Sequence, residues 1–225
     1  MTDNATLNVP VAETPANNQP RSIKFFAHLV SFIFHPLFIP TYIAAFLLFL
    51  HPYAFAGVDE QRKTYRLLSV FIVTAFFPAF SVFLMRQLRF IDTIYLRTQK
   101  DRIIPYITCM VYYFWAWYVA KNIHDSPEFV AMLLSTFVCC IAGMMANIYF
   151  KISMHGLATG ALFVLFIWIA FTGATPLGLY LAIATFITGL VCTARFIVSD
   201  HSPFEVYAGL VIGGLCQAVS IAIAA

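Results

Sequence analysis

The chain has 225 residues, of which 61% are hydrophobic and only 10% are charged. A water-soluble domain of this length lacks the polar surface to cover so much apolar content, so the composition predicts an integral membrane protein. The formal net charge of +3 is small and its basic residues are scattered, which argues against a nucleic-acid partner.

The first 22 residues are polar and contain neither the apolar core nor the small-residue cleavage site of a signal peptide. They predict a disordered N-terminal tail over residues 1–22. The remainder, residues 23–225, is predicted to form one transmembrane helical domain.

Apolar runs of about 20 residues are long enough to cross a bilayer as helices. The runs in this chain predict an all-α, polytopic transmembrane bundle of six or seven spans, at residues 25–50, 66–87, 103–120, 128–150, 154–172, 176–197 and 204–224. Pro36 and Pro40 fall inside the first run, and proline kinks or breaks a helix because it has no N–H to donate. If the first segment turns back within the membrane, the count is six.

All five cysteines lie within apolar runs, and their spacing matches no Cys-x-x-Cys or Cys/His ligand pattern. We interpret them as small packing residues. The sequence therefore suggests no metal and no cofactor.

With seven spans, the connections before the third, fifth and seventh spans share one side of the bilayer. That side carries nine of the thirteen Lys and Arg residues: Arg21, Lys24, Arg86, Arg89, Arg97, Lys100, Arg102, Lys151 and Arg195. The positive-inside rule places it in the cytoplasm, and we expect a bacterial inner membrane. Four of the nine are also candidate phosphate ligands, and without them the two sides carry nearly equal charge.

The connection before the last span contains Arg195, His201 and Glu205, in the pattern Arg-x5-His-x3-Glu. Ionisable groups at such a place cost a few kcal/mol each unless they find partners, so their clustering suggests function. Together they suit phosphoryl transfer through a phosphohistidine. His201 would be the nucleophile, Glu205 would orient its ring, and Arg195 would neutralise charge on the phosphoryl oxygens.

Glu205 also has a purely structural interpretation. Ser202 and Glu205 stand at the spacing of a capping box, with Pro203 at the first helical position. The two interpretations are compatible, because a carboxylate has two oxygens. A helix N-terminus at this position would itself attract phosphate.

Two further clusters lie on the same predicted side. Before the fifth span, Ser153 and Lys151 could bind phosphate oxygens and His155 could act as general acid, although an interfacial histidine is more often structural. Before the third span, Lys100 and Arg102 could complete a cationic pocket, although basic residues at span ends are usually topology anchors.

In their order and alternation, these clusters resemble the type 2 phosphatidic acid phosphatase superfamily, whose motifs are Lys-x6-Arg-Pro, Pro-Ser-Gly-His and Ser-Arg-x5-His-x3-Asp. The resemblance covers residues 97–209 and is best in the last motif, although Glu205 replaces Asp and Ala194 replaces Ser. The middle motif lacks its Pro and Gly, and Ile104 stands where the first motif has Arg. The resemblance implies a phosphatase-like core at about 97–224, with the catalytic and phosphate-binding residues already named and no metal.

The leading hypothesis is therefore a membrane phosphatase or phosphotransferase acting on a lipid phosphate or diphosphate. An inactive relative that binds anionic lipid or a partner protein is the main alternative, because the motifs are degenerate. A transporter is the third. His28 and His35 match no motif and are interpreted as helix-packing or interfacial residues.

Overall fold

The structure is a computed structural model that describes residues 20–91, 99–173, 177–198 and 201–224. Every regular element in these ranges is a helix, which confirms the all-α prediction. The helices are α1 (Arg21–Ile33), α2 (Ile39–Ala45), α3 (Glu60–Phe71), α4 (Phe77–Gln87), α5 (Ile103–Asn122), α6 (Pro127–Tyr149), α7 (Met154–Thr172), α8 (Gly178–Val198) and α9 (Pro203–Ala224). A π-helical turn, Phe46–Leu50, extends α2, and another, Ile72–Phe76, joins α3 to α4.

Six helices in the described ranges are long and apolar enough to cross a membrane: the continuous rod Glu60–Gln87 and helices α5 to α9. The protein is thus an integral membrane protein with a polytopic helical bundle. Helices α5 to α9 begin and end within two residues of the predicted bounds. The rod begins six residues before the predicted 66, because its first turns are polar and are initiated by Asp59, whose carboxylate accepts from the Gln61 N–H at 3.0 Å.

The predicted continuous span at 25–50 is wrong, because the structure divides this segment into two shorter helices. Helix α1 ends at Ile33 and α2 begins at Ile39, with Pro36 in the break between them. Pro36 cannot donate a helical hydrogen bond and disfavours helical geometry in the residue before it. Helix α1 begins at Arg21, and residues 1–19 lie outside the described part of the chain, so the tail over residues 1–22 stays a prediction.

Helix α2 and its π-helical turn run between the two ends of the bundle. The ring of His35, just before α2, contacts the ring of His155 at one end. Beyond the helix, the rings of Phe55 and Phe129 lie 5.2 Å apart at the other end. Leu47, between them, is fully buried. This short helix therefore belongs to the core of the bundle.

Helices α7 and α9 are in backbone contact along two pairs of glycines. A Cβ placed on Gly160 would lie 2.0 Å from the carbonyl oxygen of Leu210, and one on Gly213 would lie 1.9 Å from that of Leu157. Gly156 and Gly209 extend this backbone contact toward the start of both helices, and we call the four glycines the glycine seam. The spacing is the small-xxx-small pattern of close helix pairs in membranes. It places the first turn of α7 beside the first turn of α9.

Candidate active site

The connections before α5, α7 and α9 meet at one end of the bundle. The backbone N–H of Ser153 donates to the carbonyl oxygen of Glu205 at 3.2 Å, which joins the second connection to the third. The guanidinium of Arg102 donates to the carbonyl oxygen of Ile152 at 3.2 Å, which joins the first to the second. Residues that are 50 or more positions apart in the sequence are thus in contact.

A reciprocal pair of hydrogen bonds fixes the turn that carries Lys100 and Arg102. The Gln99 side chain donates to the Asn147 carbonyl oxygen at 2.7 Å, and the Asn147 side chain donates to the Gln99 carbonyl oxygen at 2.9 Å. Asn147, in the last turns of α6, is 3% exposed. Sequence reasoning missed this pair, although a buried Asn near the end of an apolar span was a usable signal.

His201 and Glu205 form the central contact of the site. The Nδ1 of His201 lies 2.9 Å from Oε2 of Glu205, and the two side chains are 6% and 18% exposed. With a proton on Nδ1, the imidazole donates to the carboxylate, as a ring that attacks through Nε2 requires.

The capping box is present in the same residues. The Ser202 N–H donates to Oε2 of Glu205 at 3.0 Å, and the Glu205 N–H donates to the Ser202 hydroxyl at 3.3 Å. One carboxylate oxygen therefore accepts from both His201 and the backbone, whereas the sequence interpretation divided these roles between two oxygens. The cap holds Glu205 in place and so also orients the ring of His201.

The environment keeps His201 neutral. Burial lowers its pKa below the ordinary value of 6.5, the Glu205 carboxylate opposes this shift, and the positive charges of Arg195 and Arg102 reinforce it. A neutral imidazole is the nucleophilic form. The influence of the two arginines also shows that both cations lie near the ring.

Arg195, in the last turn of α8, interacts electrostatically with three histidines at this end of the bundle. Its charge acts on His201, on His155 and on His35. Because Coulomb interactions weaken with distance and screening, these interactions indicate that the guanidinium lies at the same end of the bundle as the three imidazoles. The sequence pattern assigns the neutralisation of phosphoryl charge to this residue, and that role stays a prediction.

His155 lies in the first turn of α7. Its Nε2 is 3.0 Å from the Ser31 carbonyl oxygen, and since a carbonyl only accepts, this nitrogen carries a proton. The ring of His35 meets the ring of His155 edge to face, with centroids 5.6 Å apart. Sequence reasoning left His35 outside the site, because nothing local in its segment indicates a contact with residue 155.

The remaining candidates occupy less central positions. Ser153 is fully buried, and its hydroxyl caps α7 by accepting from the Gly156 N–H at 3.4 Å. At the same end of the bundle, Lys151 is half-buried and Lys100 is exposed. Arg97, the first residue of the matched region, lies outside the described residues.

Within the described ranges, no group of three or more His, Cys, Asp or Glu side chains is placed to hold a metal ion. Comparisons with protein-family models, with curated proteins and with solved structures found no match. The family resemblance therefore depends on the motif residues and on the geometry that assembles them.

Proposed function

We propose that this protein is a membrane phosphatase or phosphotransferase that acts on a lipid phosphate or diphosphate through a phosphohistidine. The observation that carries the proposal is the 2.9 Å contact between His201 and Glu205, made beside Arg195 and His155 at the end of the membrane-spanning helices. An oriented imidazole, a second imidazole and fixed cations are the groups that metal-free phosphoryl transfer needs.

In the first step, Nε2 of His201 attacks phosphorus and the bond from phosphorus to the lipid oxygen breaks. Protonated His155 gives its proton to the leaving oxygen. Glu205 stabilises the positive charge on the phosphorylated ring, while Arg195 and Arg102 neutralise charge on the phosphoryl oxygens.

In the second step, water attacks the phosphohistidine. His155 takes a proton from the water, phosphate leaves, and His201 returns to its neutral form. A lipid alcohol in place of water would make the same protein a phosphotransferase. The lowered pKa of His201 favours both steps, because it keeps the ring unprotonated between turnovers.

A lipid substrate suits the location of the cluster. The site lies where α7 and α9 begin, and the flanks of these helices expose large apolar side chains, including Phe204 and Tyr207. An acyl or prenyl tail can remain in the bilayer while its phosphate reaches the cations. Anionic headgroups are also attracted to the N-termini of the two helices.

We further propose that the membrane is the bacterial inner membrane and that the site faces the cytoplasm. The support is the excess of basic residues on the side of the predicted spans that carries the site. The exposed Lys100 offers a direct test: in intact cells, a Lys100→Cys variant should resist a membrane-impermeant thiol reagent and react after lysis. Labelling before lysis would place the site outside.

Phosphate release from a short-chain lipid phosphate by the purified protein tests the enzymatic proposal. His201→Ala should reduce release to background, and His155→Ala should reduce it by about 10²–10⁴-fold, the usual contribution of a general acid. An acid-labile, base-stable phosphoryl group should be trapped on the wild-type protein and be missing from His201→Ala.

His124→Ala is the matched control, because His124 lies beyond α5 at the opposite end of the bundle. Equal background release by all four proteins would refute the enzymatic proposal. Retention of anionic-lipid binding in that case would favour the inactive relative, and substrate uptake into proteoliposomes that survives His201→Ala would favour a transporter.

A further inference from the structure

The connection between α1 and α2 lies against the candidate active site. We call residues 31–38, which include the end of α1 and the break around Pro36, the N-terminal elbow. Two of its groups contact His155: the Ser31 carbonyl oxygen, 3.0 Å from Nε2, and the His35 ring, 5.6 Å away between centroids. Ser31 is 7% exposed, so its contact with His155 is sheltered from solvent.

The internal contacts of the elbow fix the state of His35. The Leu37 N–H donates to Nδ1 of His35 at 3.3 Å, so this nitrogen is unprotonated and the proton of the neutral ring is on Nε2. Leu37 is the residue after Pro36, and the hydrogen bond closes a tight local turn. The ring of His35 is therefore held by its own backbone before it meets His155.

These contacts determine which nitrogen of His155 can exchange a proton. The Ser31 carbonyl can only accept, so Nε2 of His155 keeps its proton whether the ring is neutral or charged. The proton transferred during a reaction must then be at Nδ1. Rotation of the ring by half a turn would put the carbon Cε1 where Nε2 now lies and would break the hydrogen bond to Ser31, and the ring of His35 stands against the ring that would rotate.

We propose that the N-terminal elbow is part of the active site, in which His35 and the Ser31 carbonyl are positioning groups that hold His155 with Nδ1 as its proton-exchanging nitrogen. The inference rests on the proposed function, because it assigns the geometry of the general acid. His35 acts through His155 and needs no contact with the phosphate. The elbow thereby joins residues 31–38, which lie outside the recognised motifs, to the chemistry.

Kinetics of the full-length protein in detergent test this role. His35→Ala should lower kcat by about 10–10²-fold with KM nearly unchanged, since a misplaced general acid slows proton transfer without weakening phosphate binding. His35→Phe should recover most of that loss, because it restores a ring beside His155. In a His155→Ala background, His35→Ala should cause no further loss.

His28→Ala is the matched control, since this histidine lies in the same segment but is exposed and belongs to no cluster. Its kcat should equal that of the wild type. A rise in KM for His35→Ala that His35→Phe fails to rescue would mean that His35 binds phosphate directly, and would overturn the positioning role. Full additivity with His155→Ala would overturn it as well.

A spectroscopic measurement separates this inference from the proposed function. In protein labelled with ¹⁵N histidine, at a pH high enough for His155 to be neutral, the resonance that disappears in His155→Ala should show a ring protonated at Nε2. His35→Ala should convert it to a mixture of tautomers, whereas His28→Ala should not. An unchanged tautomer in His35→Ala refutes the inference, even if the protein is a phosphatase. A shifted tautomer in a protein without phosphatase activity supports the elbow contact and refutes only the enzyme.

Discussion

The glycine seam between α7 and α9 gives the sharpest test of the fold, because alanine at any of its four glycines would meet backbone atoms, most closely at Gly160 and Gly213. The new Cβ would lie 2.0 Å from the Leu210 oxygen in Gly160→Ala, and 1.9 Å from the Leu157 oxygen in Gly213→Ala. Since real Cβ atoms almost never come within 3.0 Å of such atoms, the helices must separate by about 1 Å. Overpacking of this kind costs about 1–3 kcal/mol, and backbone cannot move aside as a flexible side chain does.

Thermal unfolding of the purified variants measures this cost. At about 2–4 °C per kcal/mol for a chain of this size, we expect each variant to unfold about 2–12 °C below the wild type. Gly189→Ala on α8 is the matched control, because its Cβ would have no neighbour within 4 Å. There the higher helix propensity of alanine should leave stability unchanged or raise it by up to about 1 kcal/mol.

The same variants connect packing to chemistry, because the seam positions His155 relative to His201. A displacement of about 1 Å can cost 10²-fold in rate, so both seam variants should lose activity in excess of their loss of folded protein, whereas Gly189→Ala should keep it. Equal unfolding temperatures for all three variants and the wild type would refute the backbone contact. Destabilised variants with full activity would refute the link to the site.

Three further predictions concern other contacts. Asp125→Ala should destabilise the protein by about 2–3 kcal/mol in thermal unfolding, because it leaves the half-buried Arg66 without its ion-pair partner. Asn147→Ala should cost about 1–3 kcal/mol by removing the hydrogen bond from the Asn147 side chain to the Gln99 carbonyl oxygen, and amide hydrogen exchange should rise in the turn at 99–102. The pKa of His201 in the folded protein is below its ordinary 6.5, so between those two pH values the unfolded chain binds more protons than the folded protein. The free energy of unfolding should therefore rise with pH in that interval. His201→Gln should flatten the rise in unfolding curves recorded from about pH 5 to 7.

The spans were predictable because the requirement for about 20 apolar residues is local and strong. Prediction failed where that signal weakens. The rod that begins at Glu60 starts with charged turns outside the apolar run, so hydropathy placed its beginning too late. The segment at 25–50 is mostly apolar, and Pro36 and Pro40 indicated a break whose position composition could not give.

Some contacts of the candidate site were likewise predictable from the local sequence, and others were not. The contact of His201 with Glu205 was predictable because residues at i and i+4 face each other across one turn. The contact of His35 with His155 joins residues 120 positions apart, and nothing in either local sequence encodes it. The two glycine pairs were visible as Gly-x3-Gly in the sequence, yet only the packing shows that they face each other.

The position of the cluster at the end of the membrane-spanning helices explains why its few functional groups are surrounded by closely packed neighbours. Charged and polar side chains at a span end are costly unless fixed partners replace water, and here the partners come from every neighbouring segment. Glu205 is shared by a cap and a histidine, and His155 is bonded to the elbow. Because the glycine seam has no side chains, α7 and α9 pack backbone against backbone and cannot slide easily past each other. This packing holds the two imidazoles in position more rigidly than contacts between flexible side chains would. Such rigidity suits catalysis that depends on preorganised charge, and it predicts that substitutions in the seam will be as damaging to turnover as substitutions of many polar groups in the site itself.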